Sequence, residues 1–212
     1  MRFDSGIASK YTNSIDQAFN TVLAKGNKTQ KFIAKTILES DMIICVFPVS
    51  KVNASGICGV TNPTATNKRI GRERLTLHDA FAEVFLTFAE ETIDNGGQRG
   101  CEGTLVHESR HAFDFAQAIA SFSKSDTDLP FNPTLYELEW EAHKTAGNYM
   151  IQVGKPDYLQ EGLDLLVLGQ LDGKIYVNEK GIKKRLLNSY NLVENEREGP
   201  RITEMTGLKM RR

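Results

Sequence analysis

Two histidines four residues apart are the residues of this chain whose spacing most directly suggests chemistry. Residues 103–114 read GTLVHESRHAFD and carry His107, Glu108 and His111 in an apolar, helical pattern. Positions four apart lie on one face of an α-helix, so both imidazoles can reach one Zn²⁺. Glu108 projects about 100° around the helix, where it can act on a water molecule at an open fourth position of the metal. The spacing therefore predicts a catalytic zinc site.

The third ligand determines which kind of zinc site is expected. Gln117 stands where a metzincin-like site has a His or Asp, so a Glu on the following helix is favoured. Three glutamates lie there: Glu137, Glu139 and Glu141. The apolar positions of that helix lie within about 60° of Glu139, whereas the other two fall near its opposite side. Because an ionised Glu on a buried face is costly unless a cation pairs with it, Glu139 is the predicted third ligand.

Residues near these ligands are candidates for a supporting role. Asp114 shares a face with the first ligand histidine and could accept a hydrogen bond from the second nitrogen of an imidazole. His143 lies one turn after the predicted glutamate ligand and could orient it or polarise a substrate carbonyl. A purely structural role is the alternative for both. Tyr149 and Tyr158 are candidate donors to an oxyanion, and the sequence does not rank them.

Composition places the chain among ordinary soluble proteins. It has 212 residues, of which 40% are hydrophobic and 25% charged, and this predicts one domain over residues 1–212 with a core at about 12–156 and an extension at 157–212. The net charge of −1 argues against a nucleic acid or an anionic membrane as partner. Three cysteines are too few for a disulfide framework and are expected to be reduced.

The element pattern predicts an α+β fold. Helices are expected after residues 13–14 and 29, a strand at 42–49, turns over 53–67, strands at 74–78 and 84–89, and a break at 95–97. Helices over 103–121 and 134–153 follow, separated by a polar loop at 121–128. Beyond these, 163–168 and 182–190 read as helix and 174–177 as strand. These strands predict a small, mostly antiparallel sheet, with the 84–89 edge as the place where an extended peptide would add.

The start of the chain carries no signal-peptide pattern, and its apolar runs are too short to cross a bilayer. We therefore expect a soluble chain made in the cytosol. Export or injection by a specialised secretion system is the expectation if the protein leaves the cell.

The segments HESRH (107–111) and EWEAH (139–143) resemble the HExxH…ExxA(D/H) signature of gluzincin metallopeptidases. This resemblance implies a zincin-like fold, with His107, His111 and Glu139 as zinc ligands and Glu108 as general base. His143 stands where the family often has an Asp, so carboxylate support would have to come from elsewhere. The order of elements over about 12–156 is also similar to the small zincin domains of bacterial effector and polymorphic-toxin metallopeptidases, which are delivered into other cells.

The function expected from these residues is hydrolysis of peptide bonds in a protein or peptide substrate, with a cognate inhibitor or immunity protein as a further partner. One alternative is a cytosolic housekeeping or phage metallopeptidase. Another is a degenerate zincin that acts as a zinc-stabilised binding protein. A closed site with a fourth ligand, recruited from Cys101 or His143, would favour the last alternative.

Overall fold

Helices and short strands alternate along the chain in the computed structural model, which describes residues 1–124 and 129–211. The strands are β1 (Arg2–Phe3), β2 (Ile43–Phe47), β3 (Gly56–Val60), β4 (Val84–Ala89), β5 (Leu168–Leu171) and β6 (Lys174–Val177). The helices are α1 (Ser9–Lys25), α2 (Lys28–Glu39), α3 (Val49–Val52), α4 (Pro63–Arg72), α5 (Leu77–Phe81), α6 (Glu90–Phe122), α7 (Leu135–Val153), α8 (Pro156–Asp164), α9 (Glu179–Tyr190) and α10 (Ile202–Thr206). The expected α+β class is confirmed.

The main sheet is mixed, with strand order β1-β2-β4-β3. The β1–β2 and β2–β4 pairs are parallel and only β3–β4 is antiparallel, so the prediction of a mostly antiparallel sheet was wrong. Parallel pairing needs a crossover connection, and α1 and α2 supply one between β1 and β2. The prediction of 84–89 as the open edge was also wrong, because β4 lies between β2 and β3.

The edge strand β3 forms where the sequence predicted turns. Gly56 and Gly59 suggested a turn, yet residues 56–60 pair in register with β4 from Gly56 opposite Phe88 to Val60 opposite Val84. The strand predicted over 74–78 was wrong, because residues 74–76 have no regular structure and α5 begins at Leu77. Thr76 caps that helix, since its hydroxyl accepts from the Asp79 N–H while the Asp79 carboxylate accepts from the Thr76 N–H.

Helix α6 provides the backbone for the HExxH segment. The break expected at 95–97 is a kink, at Gly97 with φ 55° and ψ −146°, and the helix then continues to Phe122. Apolar side chains such as Leu105 and Ala112 are almost fully buried, because α6 packs against α1, α5, α7 and the sheet. Residues 125–128 of the predicted polar loop lie outside the described residues.

Helix α7 begins and ends at the residues that the sequence indicated. The Thr134 hydroxyl accepts from the Glu137 N–H, and the Glu137 carboxylate accepts from the Thr134 N–H, as the capping-box prediction required. Gly154 ends the helix at φ 66°, a left-handed conformation that glycine adopts without strain. The helix predicted at 163–168 was wrong: α8 ends at Asp164, and β5 begins at Leu168.

The buried core continues beyond residue 156. Ile182, Leu186, Ile202 and Leu208 are each at most 3% exposed. The Leu135 N–H at the start of α7 donates to the carbonyl of Pro200, so the last part of the chain lies beside α7. The strand and helix predicted at 174–177 and 182–190 are confirmed as β6 and α9. Within the described residues, no helix combines the length and apolar character needed to cross a membrane.

Candidate metal centre

Three side chains from two neighbouring helices converge on one point. His107 and His111 come from successive turns of α6, and Glu139 comes from the second turn of α7. The two histidine Nε2 atoms are 3.1 Å apart. Glu139 Oε2 lies 3.5 Å from Nε2 of His107, and Glu139 Oε1 lies 3.5 Å from Nε2 of His111. In the described part of the chain, these three form the group of donors that could hold a metal ion.

Each histidine lies nearest to a different oxygen of Glu139, and the separations are close to those between ligand atoms of one metal ion. Zinc bonds of about 2.0–2.2 Å to nitrogen and oxygen place adjacent ligand atoms about 3.4 Å apart. The observed 3.1 to 3.5 Å fall close to that value. Glu139 Oε2 is also buried without a hydrogen-bond partner among the described residues. A buried acceptor left unpaired costs about 1–3 kcal/mol, and a cation between the three donors would satisfy it.

The electrostatics of the cluster favour a charged carboxylate. Burial opposes ionisation of Glu139, yet the adjacent His107 and His111 outweigh it and hold the pKa of its carboxyl far below the usual range. Burial also opposes protonation of His111, but Glu139 and Glu108 raise its pKa. The cluster is therefore a pocket in which positive charge is stabilised, as a cation site requires.

The other two glutamates of α7 have different partners. Glu137 belongs to the capping box, where its Oε2 accepts from the Thr134 N–H at 2.7 Å. Glu141 lies 3.6 Å from Nη1 of Arg110, and its side chain is 40% exposed. Glu139 is 8% exposed and faces α6. The structure thus places the three glutamates as the helical-face argument predicted.

Glu108 lines a cleft of about 570 Å³ together with the three candidate ligands. Its side chain packs against edge strand β3, where a Cβ built on Gly56 would lie 3.1 Å from Cγ of Glu108 and 2.5 Å from Cγ2 of Thr104. The absence of a side chain at Gly56 therefore makes room for Glu108. A carboxylate at this position can take up or release a proton inside the cleft.

The supporting role expected of Asp114 is not what the structure shows. Both oxygens of Asp114 accept from the Arg110 guanidinium at 3.0 Å, and no imidazole donates to them in the described chain. Burial raises the pKa of the Asp114 carboxyl, and Arg110 acts against that shift. The bidentate pair satisfies a carboxylate that is 1% exposed, so Asp114 has a structural partner of its own.

His143 lies beside the candidate ligands. Its Nε2 is 3.8 Å from Oε2 of Glu139, and its ring centroid is 4.8 Å from that of His107. Burial is the main reason that its pKa falls to about 3, so the imidazole is neutral. Its Nε2 is buried and unpaired among the described residues. His143 therefore contacts the candidate ligands through packing and forms no hydrogen bond with them.

The tyrosines considered as oxyanion donors are remote from that task. The hydroxyls of Tyr149 and Tyr158 both donate to Oε2 of Glu102, a buried carboxylate earlier on α6. Tyr190, at the end of α9, lines the cleft instead. Its pKa is raised by burial and by the charge of Glu139. Tyr190 is therefore the tyrosine that stands near the candidate ligands.

A fourth protein ligand is not seen in the part of the chain that the structure describes. Cys101 is fully buried and does not belong to the donor group. Burial raises the pKa of its thiol to about 12. The donor group in the described part of the chain therefore consists of three side chains, and a four-coordinate metal would need one further ligand.

Three features of the cleft escaped sequence reasoning: strand β3, Tyr190 and Arg185. The β-branched Ile57 and Val60 were a signal for a strand, but the two glycines of this segment outweighed it. No local signal links Tyr190 or Arg185 to the HExxH segment, because the packing of α9 against α7 brings them to the cleft.

Comparisons with models of protein families, with curated proteins and with solved structures found no match for this chain.

Proposed function

We propose that this protein is a zinc-dependent peptidase. The observation that carries the proposal is the convergence of His107, His111 and Glu139 at 3.1 to 3.5 Å, with Glu108 lining the same cleft. A metal site that only stabilises the fold does not need a carboxylate such as Glu108 beside it to accept a proton. The HExxH…ExxA(D/H) resemblance supports the same class, a gluzincin with a zincin-like fold.

Two imidazoles and a carboxylate are a donor set that suits zinc. When bound, a zinc ion would supply Lewis acidity, which polarises a carbonyl and makes a water molecule easier to deprotonate. Lone pairs on both Nε2 atoms must then point at the ion, so the proton of each neutral ring lies on Nδ1.

Glu108 is the proposed general base. It takes the proton of the attacking water and passes it to the amine of the leaving peptide. Its side chain is 7% exposed, so proton transfer takes place away from bulk water. The space at Gly56 lets the carboxylate stay in the cleft without distorting β3.

Tyr190 and His143 are the proposed residues that act on the substrate carbonyl side of the cleft. The Tyr190 hydroxyl keeps its proton, since burial and Glu139 raise its pKa, and it can therefore donate a hydrogen bond to a developing oxyanion. His143 packs against the ring of His107 and orients the ligands.

Edge strand β3 is the proposed peptide-binding element. Ser55, Gly56, Ile57 and Cys58 line the cleft, and β3 pairs with β4 on one side only within the described sheet. An extended peptide can add to such an edge through backbone hydrogen bonds. This replaces 84–89, the edge expected from the sequence.

The biological setting remains the expectation stated from the sequence: an effector or toxin with a cognate inhibitor, or a housekeeping or phage peptidase acting where it is made. Both settings require the same reaction, which is hydrolysis of a peptide bond. The open fourth position of the donor group argues for a peptidase over a zinc-stabilised binding protein.

The test compares wild type with Glu108→Gln, a variant of nearly equal shape that cannot act as a base. We expect one zinc per chain in both proteins, and loss of cleavage of an unfolded protein substrate by at least about 100-fold in the variant. Glu141→Gln, on the exposed side of α7, is the matched control and should keep both properties. Zinc in wild type without any cleavage would support the binding protein, and wild type without zinc would overturn the proposal.

A further inference from the structure

Arg185, on α9, lines the cleft and is only partly exposed. Its Nε is buried and has no hydrogen-bond acceptor among the described residues. No carboxylate lies within 4.0 Å of its guanidinium in the same part of the chain. A guanidinium nitrogen that is buried without an acceptor is costly, because it has lost its hydrogen bond to water without gaining another partner.

The other arginines near the cleft and the metal centre are paired. Arg99 lines the cleft as well, and its Nε lies 3.3 Å from Oε2 of Glu161. Arg110 forms a bidentate pair with Asp114. Arg185 thus differs from both in having its charge available to a molecule that enters the cleft.

The charges of the cleft residues that have no counter-charge indicate which chemical group of a substrate would bind there. A bound dication would be offset by the carboxylates of Glu108 and Glu139, and Arg99 is offset by Glu161. Arg185 then remains as the uncompensated positive charge. Arg185 lines the same cleft as His143 and Tyr190.

We propose that Arg185 binds a carboxylate of the substrate and makes the enzyme selective for acidic peptides. This inference rests on the proposed peptidase function. The planar guanidinium can donate two parallel hydrogen bonds to a carboxylate, a geometry that a lysine ammonium does not reproduce. The carboxylate belongs either to a Glu or Asp side chain near the scissile bond or to the C-terminus of a peptide. Both would satisfy the orphaned Nε.

The experiment uses zinc-loaded protein and quenched fluorescent peptides. One parent sequence carries Gln at each position around the scissile bond, and each member of the set replaces one Gln with Glu. Every peptide is made with a free and with an amidated C-terminus. Charge-assisted hydrogen bonds predict a preference of about 10- to 100-fold in kcat/KM for a peptide with the carboxylate at the right place.

Arg185→Gln is expected to reduce that preference to near unity, and Arg185→Glu to reverse it, so that the Gln parent is cleaved faster than the Glu peptide. Lys184→Gln removes a positive charge from the exposed face of α9 and should leave the preference unchanged. Thermal unfolding checks that the variants fold. If faster cleavage depends on a Glu at one internal position, Arg185 binds a side-chain carboxylate. If faster cleavage is lost when the C-terminus is amidated, Arg185 binds the C-terminal carboxylate.

Failure of this inference differs from failure of the proposed function. Wild type that cleaves the neutral and acidic peptides equally well overturns the role of Arg185 but leaves the peptidase intact. An acidic preference that survives in Arg185→Gln, folded and zinc-loaded, also overturns it. Wild type that cleaves none of the peptides or the unfolded protein substrate rejects the peptidase itself.

Discussion

Substitution of Gly56 by alanine is expected to disturb both the packing under Glu108 and its chemistry. The added Cβ would lie 2.5 Å from Cγ2 of Thr104, 3.1 Å from Cγ of Glu108 and 3.1 Å from the carbonyl oxygen of Thr87. A Cβ does not approach a non-bonded carbon atom to 2.5 Å, so the strand or the helix must move. Such overpacking costs about 1–3 kcal/mol.

A smaller effect acts in the opposite direction. Alanine restricts the unfolded chain more than glycine does, which stabilises the folded protein by about 0.4–1 kcal/mol. The net change in the free energy of unfolding for Gly56→Ala is therefore a loss of about 0–2.6 kcal/mol, and the 2.5 Å overlap with Thr104 places it toward the upper end of that range. For a chain of this size, a loss of about 2 kcal/mol lowers the melting temperature by about 4–8 °C.

The control lies on the same strand. A Cβ on Gly59 would meet only the ring of Phe85, at 3.1 Å, which is a side chain at the sheet surface. Gly59→Ala should change the free energy of unfolding by less than about 1 kcal/mol. Thr104→Ser removes the methyl group that Gly56→Ala would strike, so the double variant should regain most of the lost stability relative to Thr104→Ser alone.

Measurements of kcat/KM distinguish the effect of Gly56→Ala on packing from its effect on the position of Glu108. The Cγ contact with Glu108 persists in the double variant, and a displacement of about 1 Å in a catalytic group can cost 100-fold in rate. We expect kcat/KM to fall at least about 10-fold in both Gly56→Ala proteins, with zinc content unchanged because no ligand is touched. Melting temperatures and rates equal to those of Gly59→Ala would refute this account of how β3 holds Glu108.

Three further predictions follow from buried groups of α6 and α7. Glu139→Gln should reduce bound zinc well below one per chain and remove the zinc-dependent rise in melting temperature, which corresponds to about 2.7 kcal/mol at a free zinc concentration of 100 times Kd. Glu141→Gln should retain both properties. Equal zinc loss in the two variants would contradict the assignment of Glu139 as a ligand. Glu102→Leu leaves two buried tyrosine hydroxyls without their acceptor, and this should lower the free energy of unfolding by about 2–5 kcal/mol in a urea titration. An unchanged urea midpoint would show that the hydrogen bonds to Glu102 do not stabilise the fold. Because burial raises the pKa of Cys101 to about 12, only about 10⁻⁴ of it is thiolate at pH 8. Mass spectrometry should find this cysteine unmodified by iodoacetamide in the folded protein and modified in urea, and rapid labelling of the folded form would contradict its buried position.

The site could be predicted from the sequence wherever its residues belong to one helix. The spacing of four between His107 and His111 defines a shared face regardless of what surrounds the helix. Glu139 was chosen over Glu137 and Glu141 by the same periodicity, together with the capping box that gives Glu137 a local partner. Helix geometry repeats over a few residues, so local sequence carries this information.

Only the tertiary structure decided which residues from distant segments share the cleft. The crossovers made the sheet largely parallel and left β3 at its edge, although its glycines read as turns. The Arg110–Asp114 pair is different, because the two residues are four apart on α6 and helix periodicity could have predicted it. Arg185 reaches the cleft through the packing of α9 on α7. Such contacts depend on how apolar faces are buried across the whole chain, and no short stretch of sequence specifies them.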